Sequence, residues 1–195
     1  PRETRCPPRA LLWRLEPETD ANGRPRVLIQ SQASPDWNRL AESDWVAQTE
    51  PGIDLAEKLA LDKLAGGKTF RFRLRANPCK STKGKRSGLV HPKAQRAWLL
   101  RKGEQHGFAL PAADTPDYFD LIETSASQAY PDVRVSQDQM LIGRPHNGAA
   151  IRVFSVLYEG RLEVTDTDKF KATLEFGIGH GKVMGLGLLS VAPQP

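Results

Sequence analysis

Five glycines fall within eleven residues in Gly177-Ile-Gly-His-Gly-Lys-Val-Met-Gly-Leu-Gly187, around one histidine, His180, and one lysine, Lys182. A backbone this rich in glycine can come close to a ligand and turn several N–H groups toward it, and His180 and Lys182 add positive charge. The combination suits a phosphate. Two phosphate sites are excluded by order and spacing. A dinucleotide fingerprint needs a strand before the glycines and a helix after them, whereas the pattern here is helix, loop, strand. A Walker A loop needs Gly and Ser or Thr where Phe176 and Val183 stand. One glycine, Gly177, would suffice to end a helix here with no ligand at all, so the rest of the chain must decide.

A second group of cations stands on Thr69–Ala76. Phe70, Phe72 and Leu74 alternate with Arg71, Arg73 and Arg75, a strand with one apolar face and one row of guanidinium groups about 6.6 Å apart. No acid occurs between Asp62 and Glu104, while thirteen lysines and arginines do, so the nearby sequence offers the row no ion-pair partner. Asn77 to Gly88 follows, with Lys80, Lys83, Lys85 and Arg86, and is expected to be a mobile basic loop that follows a phosphate backbone. A solvated linker is the other reading, and the two are compatible. Arg144 and His146 fall near the tip of a long expected hairpin.

The elements that must position these groups follow from the pattern. Ala10–Leu15 and Arg26–Gln32 read as paired strands, and Asp54–Ala65 as a short helix or a loop. Pro92–Lys102 reads as a helix that buries Ala94, Ala97, Trp98 and Leu99 or Leu100, with Gly103 past its end. Phe108–Leu110 can start a strand, and Tyr118–Thr124 is another candidate. Val133–Met140 and Ala150–Val156 flank a turn-rich segment, and the second arm can continue to Val164. Asp168–Phe176 reads as a helix capped within Thr165-Asp166-Thr167, and Leu186–Val191 as the last strand. The second half therefore gives most of a β-α-β-β-α-β unit, and the first half gives the same order without its initial strand and helix. The expected class is α+β, two tandem ferredoxin-like (RRM-like) domains at residues 1–87 and 88–195.

The net charge of +5 over 195 residues favours an anionic partner without choosing among RNA, DNA and membrane. No apolar run reaches the roughly 18 residues of a spanning helix. Cys6 and Cys79 form no C-x-x-C, and four scattered histidines suggest no metal site, so neither metal nor cofactor is expected. The absence of a secretory pattern points to the cytoplasm. The chain starts at Pro1, which reads as a fragment whose natural start is missing. Trp13, Trp37 and Trp98 read as core residues.

The chain resembles the CRISPR repeat-processing endoribonucleases of the CasE family, a subunit of type I-E Cascade. The matching segments are Leu11-Leu-Trp-Arg-Leu-Glu-Pro17, Val27-Leu-Ile-Gln-Ser31 with Pro35-Asp-Trp37, Phe72-Arg-Leu-Arg-Ala-Asn-Pro78 with Gly84-Lys-Arg86, and Leu157-Tyr-Glu-Gly-Arg-Leu-Glu-Val164. The most specific is the glycine-rich segment from Gly177 through Leu189. The resemblance implies binding of the CRISPR repeat stem-loop and one metal-independent cut at the base of the stem. In that cut a 2′-hydroxyl attacks the adjacent phosphate and leaves a 2′,3′-cyclic end. It also implies retention of the product beside other Cascade subunits. Cleavage in the family relies on a His, with a Tyr nearby, on a helix ahead of the Leu11 strand. None of His91, His106, His146 or His180 stands there, so the catalytic residues are unassigned and binding without cutting is expected of this stretch. A non-catalytic ferredoxin-like RNA-binding module is the alternative. For RNA contact the expected residues are Arg71, Arg73, Arg75, Lys80, Lys83, Lys85, Arg86, Arg144, His180 and Lys182, with Gly177, Gly179, Gly181, Gly185 and Gly187 shaping the loop.

Overall fold

The computed structural model describes residues 11–41, 46–113, 130–144 and 148–194, without the side chains of residues 39, 41 and 85. The expected strand at Tyr118–Thr124, together with Cys6 and His146, lies outside them.

The first elements are β1 (Leu11–Thr19) and β2 (Pro25–Ser31), an antiparallel pair, then two short helices, α1 (Asn38–Ala41) and α2 (Leu55–Lys58). Next come β3 (Thr69–Ala76), β4 (Cys79–Thr82), β5 (Lys85–Gly88), α3 (Pro92–His106) and β6 (Phe108–Ala109). The chain finishes with β7 (Val133–Gly143), β8 (Ile151–Val164), α4 (Thr167–Phe176) and β9 (Leu189–Pro193).

One five-stranded antiparallel sheet organises the second part, in the order β6–β8–β3–β9, with β7 also paired to β8. β6 and β7 share one edge of β8, β6 at Glu163 and Val164 and β7 from Ile151 to Gly160. The path β3, α3, β6 with β7, β8, α4, β9 is a complete β-α-β-β-α-β unit. Its first strand is β3, which the expected division at residues 87 and 88 assigned to the preceding unit. The sheet runs across that division, because β3 pairs with β8 from Thr69 to Ala76 and with β9 from Phe70 to Leu74. Alternation identifies a strand in a sequence but not the strands it will join.

The alternation sets the core. Phe70, Phe72 and Leu74 are buried, as are Tyr158 and Leu162 of β8. Helices α3 and α4 cover that face with Trp98, Leu99, Phe170 and Leu174. Phe70 stacks on Phe170 at 6.0 Å between centroids and Trp98 on Tyr158 at 6.1 Å. Each such side chain contributes about 2 kcal/mol by leaving water.

Three local expectations are revised. Helix α3 does not stop before Gly103 but continues to His106, with Gly107 as the left-handed cap at φ +78°. Gly103 is a contact glycine, since a Cβ there would lie 2.5 Å from the carbonyl oxygen of Phe108. Ala97 and Leu100 are exposed, while Gln95 is buried and its Nε2 donates to the carbonyl of Leu89 at 2.9 Å. The stretch Asn77–Gly88 is not an irregular loop: β4 and β5 form a hairpin through Lys83 at φ +50° and Gly84 at φ +77°. Two successive positive φ angles are those of a type I′ turn, which glycine at the second position makes easy. The last strand begins at Leu189, with Leu186, Gly187 and Leu188 still in the loop. Helix α4 forms as expected, and Asp166 caps it by accepting from the N–H of Lys169 at 3.1 Å. No helix among the described residues is long and apolar enough to cross a membrane.

Candidate nucleic-acid interface

The β4–β5 hairpin, the end of α3 and the glycine loop converge. On the hairpin, Ser81 sits across from Arg86, and Cys79 lies two residues before Ser81 on the same face. On α3, Trp98, Arg101 and Lys102 are spaced i, i+3, i+4 and share one helical face. These residues, with Asn77, Gly179 and His180, line a cleft of about 150 Å³. No acidic residue lines it. His180 is held below its ordinary value of 6.5, first by desolvation and then by the positive charges of Arg86, Lys102 and Lys182. The cleft is thus a cationic recess in which burial and the neighbouring positive charges disfavour the imidazolium form of His180.

Two segments that the sequence singled out separately, Asn77–Gly88 and Gly177–Gly187, meet here. Arg86 and His180 line the cleft itself. Lys80 alternates with Ser81 and so belongs to the opposite face of the hairpin, Lys83 is in its turn, and Lys85 is the first residue of β5. Lys80 and Lys83 are exposed, and Lys182 is half-buried on a short 3₁₀ turn, Lys182–Met184. Arg144, just beyond β7, is exposed and away from the cleft lining. Arg101 and Lys102 were missed by the sequence reading. Their helical spacing from Trp98 is the signal that could have found them.

The glycine loop is folded on itself more than a ligand cradle would be. The N–H of Ile178 donates to Gly187 O at 2.8 Å, that of Met184 to Gly181 O at 2.8 Å, and that of Gly187 to Arg75 O at 2.7 Å. The amides of Gly177, Gly185 and Leu186 are also bonded to protein carbonyls. These six of the loop's eleven N–H groups are thus turned to protein carbonyls and away from any ligand. The glycines act by contact and conformation. At Gly185, φ is +75° and a Cβ would lie 2.7 Å from the ring of Trp13; at Gly187, φ is +93° and a Cβ would lie 2.7 Å from the carbonyl oxygen of Ile178.

The arginine row is also revised. Arg71 is exposed, but Arg73 is held by carboxylates remote in sequence: Glu16 at 2.8 Å, Glu18 at 2.8 Å and Glu159 at 2.7 Å. The hydrogen bonds that Arg73 donates to Glu18, above all, raise its pKa beyond the ordinary value. Arg75 is buried, donating from Nη2 to Gln137 Oε1 at 2.5 Å, while its Nε has no hydrogen-bond partner. Desolvation, and next the charge of Arg14, lowers its pKa. Arg14 of β1 is 2% exposed and donates to the carbonyls of Arg73 at 3.1 Å and Leu188 at 3.2 Å, and to Glu16 at 2.8 Å. Arg14, Glu16, Arg73, Glu18 and Glu159 thus form one network that fastens the β1–β2 hairpin to the sheet. Local counting of acids missed it because the partners are remote in the chain: Glu159 comes opposite Arg73 by strand pairing, and Glu16 and Glu18 come from the separate β1–β2 hairpin.

The comparisons agree with this architecture. A family model described as CRISPR associated protein matches residues 1–193. The chain is 40% identical over 185 residues to the CRISPR-associated endoribonuclease Cse3 of Thermus thermophilus, covering 94% of this chain and 80% of that one. It is 29% identical over 147 residues to the Cascade subunit CasE of Escherichia coli, covering 67% of this chain and 61% of the other. A structure of Thermus thermophilus Cse3 bound to an RNA representing a pre-cleavage complex superimposes with a TM-score of 0.72, at 41% identity over 94% of this chain and 78% of that chain. The antiparallel α+β architecture, the glycine loop before the last strand and these matches over nearly the whole chain together make it a member of the Cse3/CasE family of CRISPR-associated endoribonucleases.

Proposed function

We propose that this chain binds the stem-loop of a CRISPR repeat transcript and takes part in its processing, with the basic cleft and its flanking cations as the RNA-facing surface. The observation that carries the reading is the cleft itself, a cationic recess without an acidic residue in its lining, in a chain 40% identical to a CRISPR-associated endoribonuclease. Membership in this family makes RNA cleavage the reaction class and other Cascade subunits the protein partners.

The chemical course follows from the same reading. The 2′-hydroxyl at the cut site attacks the adjacent phosphate, the 5′-oxygen leaves, and the ends are a 2′,3′-cyclic phosphate and a 5′-hydroxyl. In this scheme His180 contacts phosphate and is not the proton-transfer group. The division between the two ferredoxin-like units falls between Leu64 and Thr69, because β3 opens the second unit. A cytoplasmic site of action completes the reading. The alternative is a module that binds the same hairpin and never cuts it.

The deciding experiment incubates the full chain with a repeat hairpin from the source genome's CRISPR array, in chelator. Retention of the hairpin without cutting is the expected result. One cut that leaves a cyclic phosphate end would assign cleavage to this stretch itself and remove the binding module. No retention at low salt removes the proposal, and cutting abolished by His180→Ala with binding intact removes the role given to His180.

A further inference from the structure

The cleft between the β4–β5 hairpin, α3 and the glycine loop has a composition that selects one part of an RNA ligand. Three cations, Arg86, Arg101 and Lys102, surround a recess of about 150 Å³. None of the ion pairs among the described residues uses any of the three, and the ammonium of Lys102 bonds only the neutral amide of Gln105, at 2.9 Å. Three unpaired cations facing one recess repel one another, and an anion relieves that repulsion. The recess is smaller than the roughly 300 Å³ at which drug-sized ligand sites begin, which suits a phosphate and a sugar better than a whole nucleotide.

Trp98 decides against a base. Trp98 is 3% exposed and its ring stacks on Tyr158, so it floors the cleft and offers no free face for stacking. Gly179 closes over the same ring, where a Cβ would come within 3.4 Å of it. Beside His180 and Cys79, the lining has two short polar groups, the amide of Asn77 and the hydroxyl of Ser81. These can donate to or accept from a single hydroxyl near the phosphate. The 2′-hydroxyl is the group that distinguishes RNA from DNA at a backbone contact.

We infer that this cleft is a sugar–phosphate subsite. It takes one phosphodiester of the bound RNA on Arg86, Arg101 and Lys102, and the adjoining ribose 2′-hydroxyl on Asn77 and Ser81. The inference rests on the reading of the chain as a repeat-hairpin binder and adds to it one linkage, three cations and selection for ribose. The subsite reads no base, so its contribution is the same whatever nucleotide carries the linkage.

The test uses the full chain and a set of repeat hairpins, each with one phosphate replaced by a neutral methylphosphonate, at about 0.1 M salt. Arg101 is exposed, so Arg101→Ala folds, and Lys102→Gln is a second variant. One linkage is expected to weaken wild-type binding about tenfold when neutralised, yet to weaken Arg101→Ala and Lys102→Gln by less than about twofold. A 2′-deoxy substitution next to that linkage is expected to show the same non-additivity with Asn77→Ala. Penalties that add at every linkage overturn the subsite while leaving hairpin binding standing. A wild-type chain that ignores the unmodified hairpin at low salt overturns both.

Discussion

Arg73 Nη1 lies 2.8 Å from Glu16 Oε2, although the two residues are 57 positions apart in the chain. That bond, with those to Glu18 and Glu159, turns a row of arginines that reads as an open cationic face into the fastening between β1 and the sheet. Arg73→Met removes the cation from three carboxylates at once. Because Arg73 is partly exposed, the expected loss is about 2 kcal/mol, less than for a fully buried pair. Urea unfolding measures it, with the midpoint falling and the slope of ln K against salt for RNA binding unchanged. A lower salt slope with an unchanged midpoint would instead make Arg73 an RNA contact.

Lys83 and Arg86 belong to the hairpin that the sequence reading took for a loop. Changing both to alanine is expected to weaken hairpin RNA binding and to lower the salt slope by up to about one unit per lost phosphate contact. Lys83 holds φ at +50°, so Lys83→Gly is the companion variant: it removes the charge while easing the turn. Equal weakening by Lys83→Ala and Lys83→Gly in a filter-binding titration assigns the effect to charge, whereas rescue by glycine assigns it to backbone.

Gly185 and Gly23 share a positive φ of +75° but differ in surroundings, with the Trp13 ring 2.7 Å from a Cβ at Gly185 and nothing within 4 Å at Gly23. Gly23→Ala is expected to cost about 1 kcal/mol for conformation alone. Gly185→Ala adds the displacement of Trp13 and is expected to cost about 3 kcal/mol in total. Thermal melts separate the two, and equal shifts in Tm would mean that Trp13 moves aside without cost.

His106 makes stability pH-dependent. Its Nδ1 is 2.8 Å from Thr173 Oγ1, and desolvation first, then Lys102 and Lys182, holds its pKa below 6.5. Between that lowered value and 6.5 the unfolded chain binds more protons than the folded one. The stabilisation is therefore complete above about pH 6.5 and declines as pH falls through the folded value. His106→Gln retains a side chain able to bond Thr173 but does not titrate. Denaturant unfolding at about pH 7.5 and about pH 5.5 is expected to show a smaller difference for the variant than for the parent. An identical difference removes His106 as a cause.

What could be read in the sequence was whatever depends on neighbours along the chain. The alternation in Thr69–Ala76 placed β3, and the arms around Ile142–Gly148 placed β7 and β8. The Asp166 cap placed α4. Gly103 misled because a glycine after an apolar helix face resembles a stop signal, while its actual reason, the carbonyl of Phe108, is supplied by the chain folding back. Lys83-Gly84 carried a type I′ turn that was hidden by the charge of its surroundings. The partners of Arg73 and the meeting of Arg86, Arg101 and His180 depend on strand order, which no local pattern contains. The half of the cleft on α3 was within reach, since Trp98, Arg101 and Lys102 follow helical spacing.

β3 has β8 on one side and β9 on the other, and both lie later in the chain than β3 itself. The strand is seated only when each neighbour has folded back on it, and the wall of the cleft formed by Gly179 and His180 is laid down by the segment that leads into β9. The recess is therefore a product of the closed sheet. Peeling β9 from β3 and opening the cleft are one event, so whatever occupies the cleft also clasps the sheet shut.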